Sequence, residues 1–313
     1  MASKTNIEWT DFNWNFLRGC SRVSEGCRNC YAEKIAGRFS GEGLPYHGLA
    51  TMTAGQARWT GEIAFDEKTL LVPLKRRVPT KYFVNSMSDL FHEKVTDEML
   101  DKAFAVMALC PQHTFQILTK RPERMRGYLS SHDIGLRWAL MIPDAILPDA
   151  TVAVKWSNTG LPNVWLGVSV EDQKTANERI PLLLETPAAI RWLSVEPLLG
   201  PVDLTLRWNG QDGRDGNGHL RWGTLPTIGS LGGPNLNWVV VGGESGPGAR
   251  PCDIANIRSI VEQCKAAGVP IFVKQLGSKP FMGVKGFGPL IKNKKGGDIA
   301  EFPADLQIRE YPS

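Results

Sequence analysis

The sequence predicts an α/β fold, a partial or complete TIM-like (β/α) barrel interrupted by long insertions. Three observations lead there. Short apolar segments recur along the chain, and each ends in polar or glycine-containing residues. Stretches of helical period lie between several of them. A turn rich in cysteine and glycine follows the first segment.

The apolar segments are 81–89 (KYFVNSMSD), 114–121 (TFQILTKR), 164–171 (VWLGVSVE), 190–199 (IRWLSVEPLL), 238–246 (WVVVGGESG) and 271–277 (IFVKQLG), with a first strand near 14–20. They begin with β-formers and lack strict alternation, the pattern of strands buried on both faces of a parallel sheet. Their carboxyl ends collect Ser, Asp, Thr, Lys, Arg and Glu, and strand carboxyl ends are where barrels and doubly wound folds place their chemistry.

Helices connect them. Over 96–110, Thr96 is a cap, Asp97 and Glu98 sit at the positive end of the helix dipole, and Leu100, Ala103, Phe104, Met107 and Ala108 form a stripe. Asp253 caps a second helix that Gly268 and Pro270 stop, and 175–184 forms a third. Strand–helix alternation implies right-handed βαβ units. The expected organisation is a barrel over 1–278 with a loop at 20–30, insertions near 130–162 and 208–237, and an irregular extension over 279–313. Loops as long as the insertions are usually functional.

Composition narrows the class. An apolar content of 42% with 22% charged residues suits a soluble enzyme, and no apolar run is long enough for a bilayer. The N-terminus lacks a signal-peptide core, so the expected location is cytoplasmic, with no membrane partner. A net charge of +4 permits a nucleic-acid partner without requiring one.

Three of the six cysteines, Cys20, Cys27 and Cys30, fall within one short segment, GCSRVSEGCRNCY, while Cys110, Cys252 and Cys264 are scattered. Two residues between Cys27 and Cys30 let both thiolates face one centre, and Gly19 and Gly26 relax the backbone around it. Three thiolates hold three irons of a [4Fe–4S] cluster and leave the fourth open, where S-adenosylmethionine can chelate. Zinc is the competing reading. It would need a fourth ligand, and the nearest histidine is His47. Three unligated cysteines fit poorly among Arg18, Arg22, Glu25, Arg28 and Asn29.

The residues Trp9-Thr10-Asp11, Trp14-Asn15, Gly19-Cys20, Gly26-Cys27 and Asn29-Cys30-Tyr31-Ala32, with 85–92, 118–122, 165–171, 196–200, 242–251 and 272–275, resemble the phage-associated three-cysteine (CX6CX2C) family of unknown function, which is similar to radical SAM enzymes. The first spacer is six residues, against three in the commoner radical SAM motif. The resemblance implies a barrel of radical SAM type, a [4Fe–4S] cluster and S-adenosyl-L-methionine, with an electron donor of flavodoxin or ferredoxin type. It also implies host cytoplasm if the chain is phage-encoded.

On that reading Asn85, Ser86, Ser88, Asp89, Thr119, Lys120, Ser169, Glu171, Ser194, Glu196, Gly242, Gly243 and Glu244 are expected to bind the cofactor. Carboxylates suit its ammonium and ribose hydroxyls, and Lys or Arg its carboxylate. Arg121, Ser245, Lys274 and Gln275 are expected at the substrate, and no catalytic residue is assigned. Ser86, Ser88 and Asp89 equally suit a helix cap. The expected chemistry is formation of a 5′-deoxyadenosyl radical acting on a modified DNA base or nucleotide, for example isomerisation of a glycyl-modified thymidine from N- to C-linkage. Lys75, Arg76, Arg77, Arg124, Arg126 and tryptophans are candidate strand contacts. The alternatives are a radical SAM lyase that repairs DNA lesions and a zinc-stabilised, non-catalytic nucleic-acid-binding protein.

Overall fold

A computed structural model describes residues 2–141, 160–204, 236–284, 288–289 and 291–312. The chain divides into two units, Met1–Gly167 with Thr186–Ala189, and Val168–Glu185 with Ile190–Ser313. Both are mixed α/β, and the largest ladder of each pairs mostly in parallel.

The first unit begins with β1 (Ala2–Lys4), β2 (Phe12–Trp14) and β3 (Leu17–Arg18). After the cysteine loop come α1 (Tyr31–Arg38), the hairpin β4 (Ala50–Thr53) and β5 (Gln56–Trp59), then β6 (Ala64–Phe65) and α2 (Glu67–Leu70). They are followed by β7 (Lys81–Val84), α3 (Asp97–Ala108), β8 (Thr114–Thr119), α4 (Pro122–Leu129) and α5 (Ile134–Leu140). β2 pairs with β7 and β7 with β8, all parallel, while β1 pairs antiparallel with β2.

The strand expected over 14–20 is split. Phe12–Trp14 joins β7, whereas Leu17 and Arg18 turn away to pair antiparallel with β6. Asn85 sits at the break. Its backbone adopts φ 57°, a left-handed conformation that asparagine tolerates, and its Oδ1 accepts from Leu17 N at 3.1 Å. The core is aromatic: Trp14 lies 4.6 Å from Phe16 and 5.2 Å from Phe115 by ring centroids, and Tyr82 stacks on Phe115. Thr96 caps α3 as expected, and the Leu100, Ala103, Phe104 and Met107 stripe is buried.

β9 (Val164–Ser169) carries the chain from the first unit into the second, which continues with α6 (Gln173–Glu185), β10 (Ile190–Val195) and β11 (Trp238–Gly242). β12 (Cys252–Asp253), α7 (Ile254–Ala267), β13 (Ile271–Gln275) and β14 (Pro280–Phe281) complete it. β10, β11 and β13 form a parallel ladder, with Val239, Val240 and Val241 buried. Asp253 and Gly268 cap α7 at its two ends.

Among the described residues the ladders show no closed barrel, and the antiparallel β1 stands apart from the all-parallel pattern of a complete (β/α) barrel. In the second unit the C-terminal segment joins β13: Val273 N donates to Ile308 O at 2.9 Å, and Phe272 bridges Arg309 antiparallel. An added antiparallel neighbour pairs groups that would otherwise template association. Of the expected insertions, α5 falls in the first, and 142–159 and 205–235 lie outside the described residues.

Candidate functional site

The cysteine loop starts where β3 ends. Gly19 has φ 93°, and a Cβ built there would lie 2.1 Å from Glu62 O, so the backbone crosses at a place only glycine can occupy. A short 3-10 turn, Glu25–Cys27, brings Cys27 round, and Cys30 is the N-cap of α1. Cys20, Cys27 and Cys30 are all partly buried free thiols. Burial pushes the Cys20 thiol up to about 12, with Asp89 and Cys30 adding to the rise and Arg121 opposing it. The Cys30 thiol is also raised, by burial first, against the pull of the Glu33 and Ala32 backbone N–H groups.

Two clamps hold the loop. Glu33, 2% exposed, accepts from Arg22 Nε at 3.0 and 3.2 Å and from Trp59 N at 3.0 Å, and pairs with Arg22 Nη2. The same nitrogen reaches Arg28 O, which ties the Cys20–Cys27 spacer to the Cys27–Cys30 turn. The second clamp is Arg121. It donates from Nη2 to Ser21 O and Oγ at 3.2 and 2.7 Å, from Nη1 to Asp89 at 3.1 Å, and from Nε to Glu93 at 3.1 Å. Arg121 Nη1 also lies 4.0 Å from Cys20 Sγ. His92 Nε2 meets Ser21 Oγ at 3.0 Å, and burial, then Arg121, lower its pKa.

Among the described residues no group of three or more His, Cys, Asp or Glu side chains is arranged to hold a metal ion. Binding a cluster therefore requires the three thiols to close around it. The donor chemistry suits one: three soft sulfur ligands on a single loop.

Asp89, expected at a ligand's ammonium, is 6% exposed and accepts from Thr119 Oγ1 at 2.7 Å, Phe91 N and Lys120 N at 3.0 Å, and Arg121. Thr119 Oγ1 in turn accepts from Arg121 N. Asp89, Thr119, Lys120 and Arg121 are thus brought together around one buried carboxylate. Asn85 and Ser88 differ: the buried Nδ2 and Oγ have no hydrogen-bond partner among the described residues. Ser86 Oγ bonds Asn15, and its carbonyl accepts from Tyr31 Oη at 2.6 Å.

In the second unit, Ser194, Glu196, Gly242, Gly243, Lys274 and Gln275 meet at the carboxyl ends of β10, β11 and β13. Lys274 Nζ donates to Glu196 Oε2 at 3.0 Å, with Ser194 Oγ 3.5 Å from the same oxygen. Gln275 Nε2 donates to Gly243 O at 2.8 Å. Glu196 Oε1 is buried without a partner among the described residues, and a Cβ on Gly242 would stand 2.6 Å from it. Glu171 and Glu244, in contrast, are held by arginines. Glu171 pairs with Arg179 at 3.0 Å, both buried, and Arg250 grips Glu244 through Nε, Nη2 and its backbone N. Ser169 contributes its carbonyl to Arg179, and Ser245 is partly exposed.

Glu33, Arg179 and Arg250 were not singled out from sequence. Glu171 and Arg179 are eight apart across the start of α6, and the one local signal for Glu33 is an acid three residues past Cys30 in the first turn of α1. Among the basic candidates, Arg124 pairs with Asp97, and Arg76 bonds Thr80 and covers Phe12 at 4.5 Å. Lys75 and Arg77 are exposed.

The chain belongs to a family of proteins of unknown function, DUF5131, whose pattern matches residues 4–297. No curated protein matches it. Solved structures similar to it include spore photoproduct lyase complexed with dinucleoside spore photoproduct, at 12% identity and a TM-score of 0.40, covering 77% of this chain and 58% of that one. A tyrosine-to-phenylalanine mutant of spore photoproduct lyase matches at 11% identity and a TM-score of 0.37, covering 63% and 48%. The chain thus spans about half the length of these proteins. No helix of the described residues is long and apolar enough to cross a membrane.

Proposed function

With membership of this family as the premise, we propose that the chain is a radical S-adenosylmethionine enzyme that holds a [4Fe–4S] cluster on Cys20, Cys27 and Cys30 and acts on a modified base of DNA or a nucleotide. The observation that carries the reading is the cysteine loop itself. Three thiols stand on one glycine-relieved loop, clamped on one side by Glu33 and on the other by Arg121. That is the donor set of a cluster with one iron left for a small molecule.

When bound, the cluster supplies the electron that cleaves S-adenosylmethionine to a radical able to take hydrogen from an unactivated carbon. The chain's own groups bind and orient. Asn85 Nδ2 and Ser88 Oγ, just after β7, are buried and free to bond a polar ligand beside the loop. In the second unit, Glu196 Oε1 is an open acceptor for a hydroxyl or amine, and Lys274 Nζ holds the opposite oxygen so that the open one keeps its aim. Gly242 leaves room for that contact. The substrate we propose is a glycyl-modified thymidine whose linkage moves from nitrogen to carbon, with exposed Lys75 and Arg77 available to phosphates.

The test is anaerobic turnover. Reconstituted protein with dithionite should convert S-adenosylmethionine to methionine and 5′-deoxyadenosine. An oligonucleotide carrying the glycyl-modified base should keep its mass and change its fragmentation. Absence of reductive cleavage from iron-loaded protein would count against the enzyme class. Cleavage with an unchanged oligonucleotide would reject the substrate alone.

A further inference from the structure

We infer that Arg121 is a positioning residue for the cluster loop, which fixes Cys20 through Ser21 and raises the cluster's reduction potential, and that it is not a substrate ligand. The inference rests on the function proposed above and assigns a role to a residue that the sequence placed at the substrate.

Every face of this guanidinium is engaged by the chain. Nε goes to Glu93, Nη1 to Asp89 and toward Cys20 Sγ, and Nη2 to both the carbonyl and the hydroxyl of Ser21. The side chain is 11% exposed, which leaves no free fork for a carboxylate or phosphate. Its position follows from α4, which Arg121 precedes as N-cap, and from Thr119 Oγ1, which accepts the Arg121 backbone N–H at 2.9 Å. Asp89 is anchored in turn by Thr119, Phe91 and Lys120. The loop residue next to Cys20 is therefore bolted, through one arginine, to the carboxyl end of β8.

The consequence for a cluster is electrostatic. Reduction adds one negative charge spread over irons and sulfurs, and a guanidinium beside a ligating sulfur stabilises that charge. Groups in this outer shell tune potentials as well as ligand orientation. The 4.0 Å separation from Cys20 Sγ is at the outer limit of a hydrogen bond to sulfur, but the charge acts at that range without one. Two carboxylates share the same arginine. Asp89 is buried and braces it, while Glu93 is 61% exposed and also accepts from Ser21 Oγ at 2.9 Å. Removing Arg121 and removing Glu93 therefore change the local charge in opposite senses.

The experiment is an anaerobic redox titration of reconstituted full-length protein, followed by electron paramagnetic resonance, alongside iron and sulfide analysis. Arg121→Gln should retain its iron and titrate at a lower potential, with the oxidised-to-reduced ratio at fixed potential raised about tenfold, a shift of about 59 mV for one electron. Arg121→Lys should recover part of that shift, because it restores the charge without the fork. Glu93→Gln, a change at an exposed side chain, should move the potential upward. If Arg121→Gln does not fold, an unchanged potential in Arg121→Lys together with Glu93→Gln overturns the inference. Equal potentials in all variants that hold iron, or shifts of the same sign for Arg121→Gln and Glu93→Gln, would overturn the inference and leave the proposed function standing. Failure of the unsubstituted protein to take up iron and sulfide would overturn both.

Discussion

The carboxyl ends of β7 and β8 and those of β10, β11 and β13 carry similar residue types and use them differently. After β7 and β8, Asp89 meets donors from Thr119, Phe91, Lys120 and Arg121, and Arg121 reaches on to Glu93 and Ser21. Asp89 and Arg121 are thus answered by other groups of the chain, and the neutral Asn85 Nδ2 and Ser88 Oγ beside them have no partner among the described residues. After β10 and β13, Glu196 is answered by Lys274 on one oxygen only, and the other is buried and unpaired. The first arrangement is a brace, and the second keeps an acceptor in reserve. A buried polar atom without a partner is costly, so it persists where something else stabilises it or where a ligand completes it.

If the first region is a brace, cutting its centre should have the largest effect. Asp89→Ala leaves Arg121 partly buried without its anchoring carboxylate and should cost about 3–5 kcal/mol, read as a lowered urea midpoint. A midpoint equal to that of the unsubstituted chain would remove the brace from the account. Gly19→Ala should come next, at about 1–3 kcal/mol, because its backbone is left-handed and a Cβ would strike Glu62 O. The same substitution at Gly43, whose backbone is also left-handed but where nothing lies near the added carbon, separates the contact from the backbone strain.

The second region should respond in binding more than in stability. Glu196→Gln keeps the shape and should shift the urea midpoint by less than about 1 kcal/mol equivalent, while weakening binding of small hydroxyl- or amine-bearing ligands to the second unit, measured by equilibrium dialysis. A midpoint that falls as far as that of Asp89→Ala would mean that the Glu196–Lys274 pair is a brace as well.

The scattered thiols belong to neither region and act only at high pH. Burial pushes Cys110, Cys252 and Cys264 up from 9.0 to about 12. A raised thiol pKa stabilises the folded chain fully below the unfolded value, and the contribution is lost as pH rises from about 9 toward 12. Unfolding midpoints should be flat up to pH 9 and fall above it, and alkylation of these three should require denaturant. Rapid labelling of all of them in the folded chain would contradict their burial.

Features set by neighbouring residues were legible in the sequence. Thr96, Asp253 and Gly268 cap the helices they were expected to cap, because a cap is decided within one turn. The strand carboxyl ends also gather polar groups as read. The sequence could not show which of those groups answer one another, since Arg121 finds Asp89 across 32 positions and Ser21 across 100. Glu171 and Glu244 look as available as Glu196 until Arg179 and Arg250 are seen to hold them. The return of the tail to β13 was equally hidden, because Phe272 meets Arg309 across 37 positions with no local signal for the pairing.

The central claim is that Cys20, Cys27 and Cys30 together hold an iron–sulfur cluster, and metal analysis after anaerobic reconstitution tests it most directly. The unsubstituted chain should bind about four iron and four sulfide ions, and each of Cys20→Ala, Cys27→Ala and Cys30→Ala should lose most of them, while Cys110→Ala keeps them. A colourless chain holding one tight zinc ion, or iron and sulfide retained in all three variants, would contradict it.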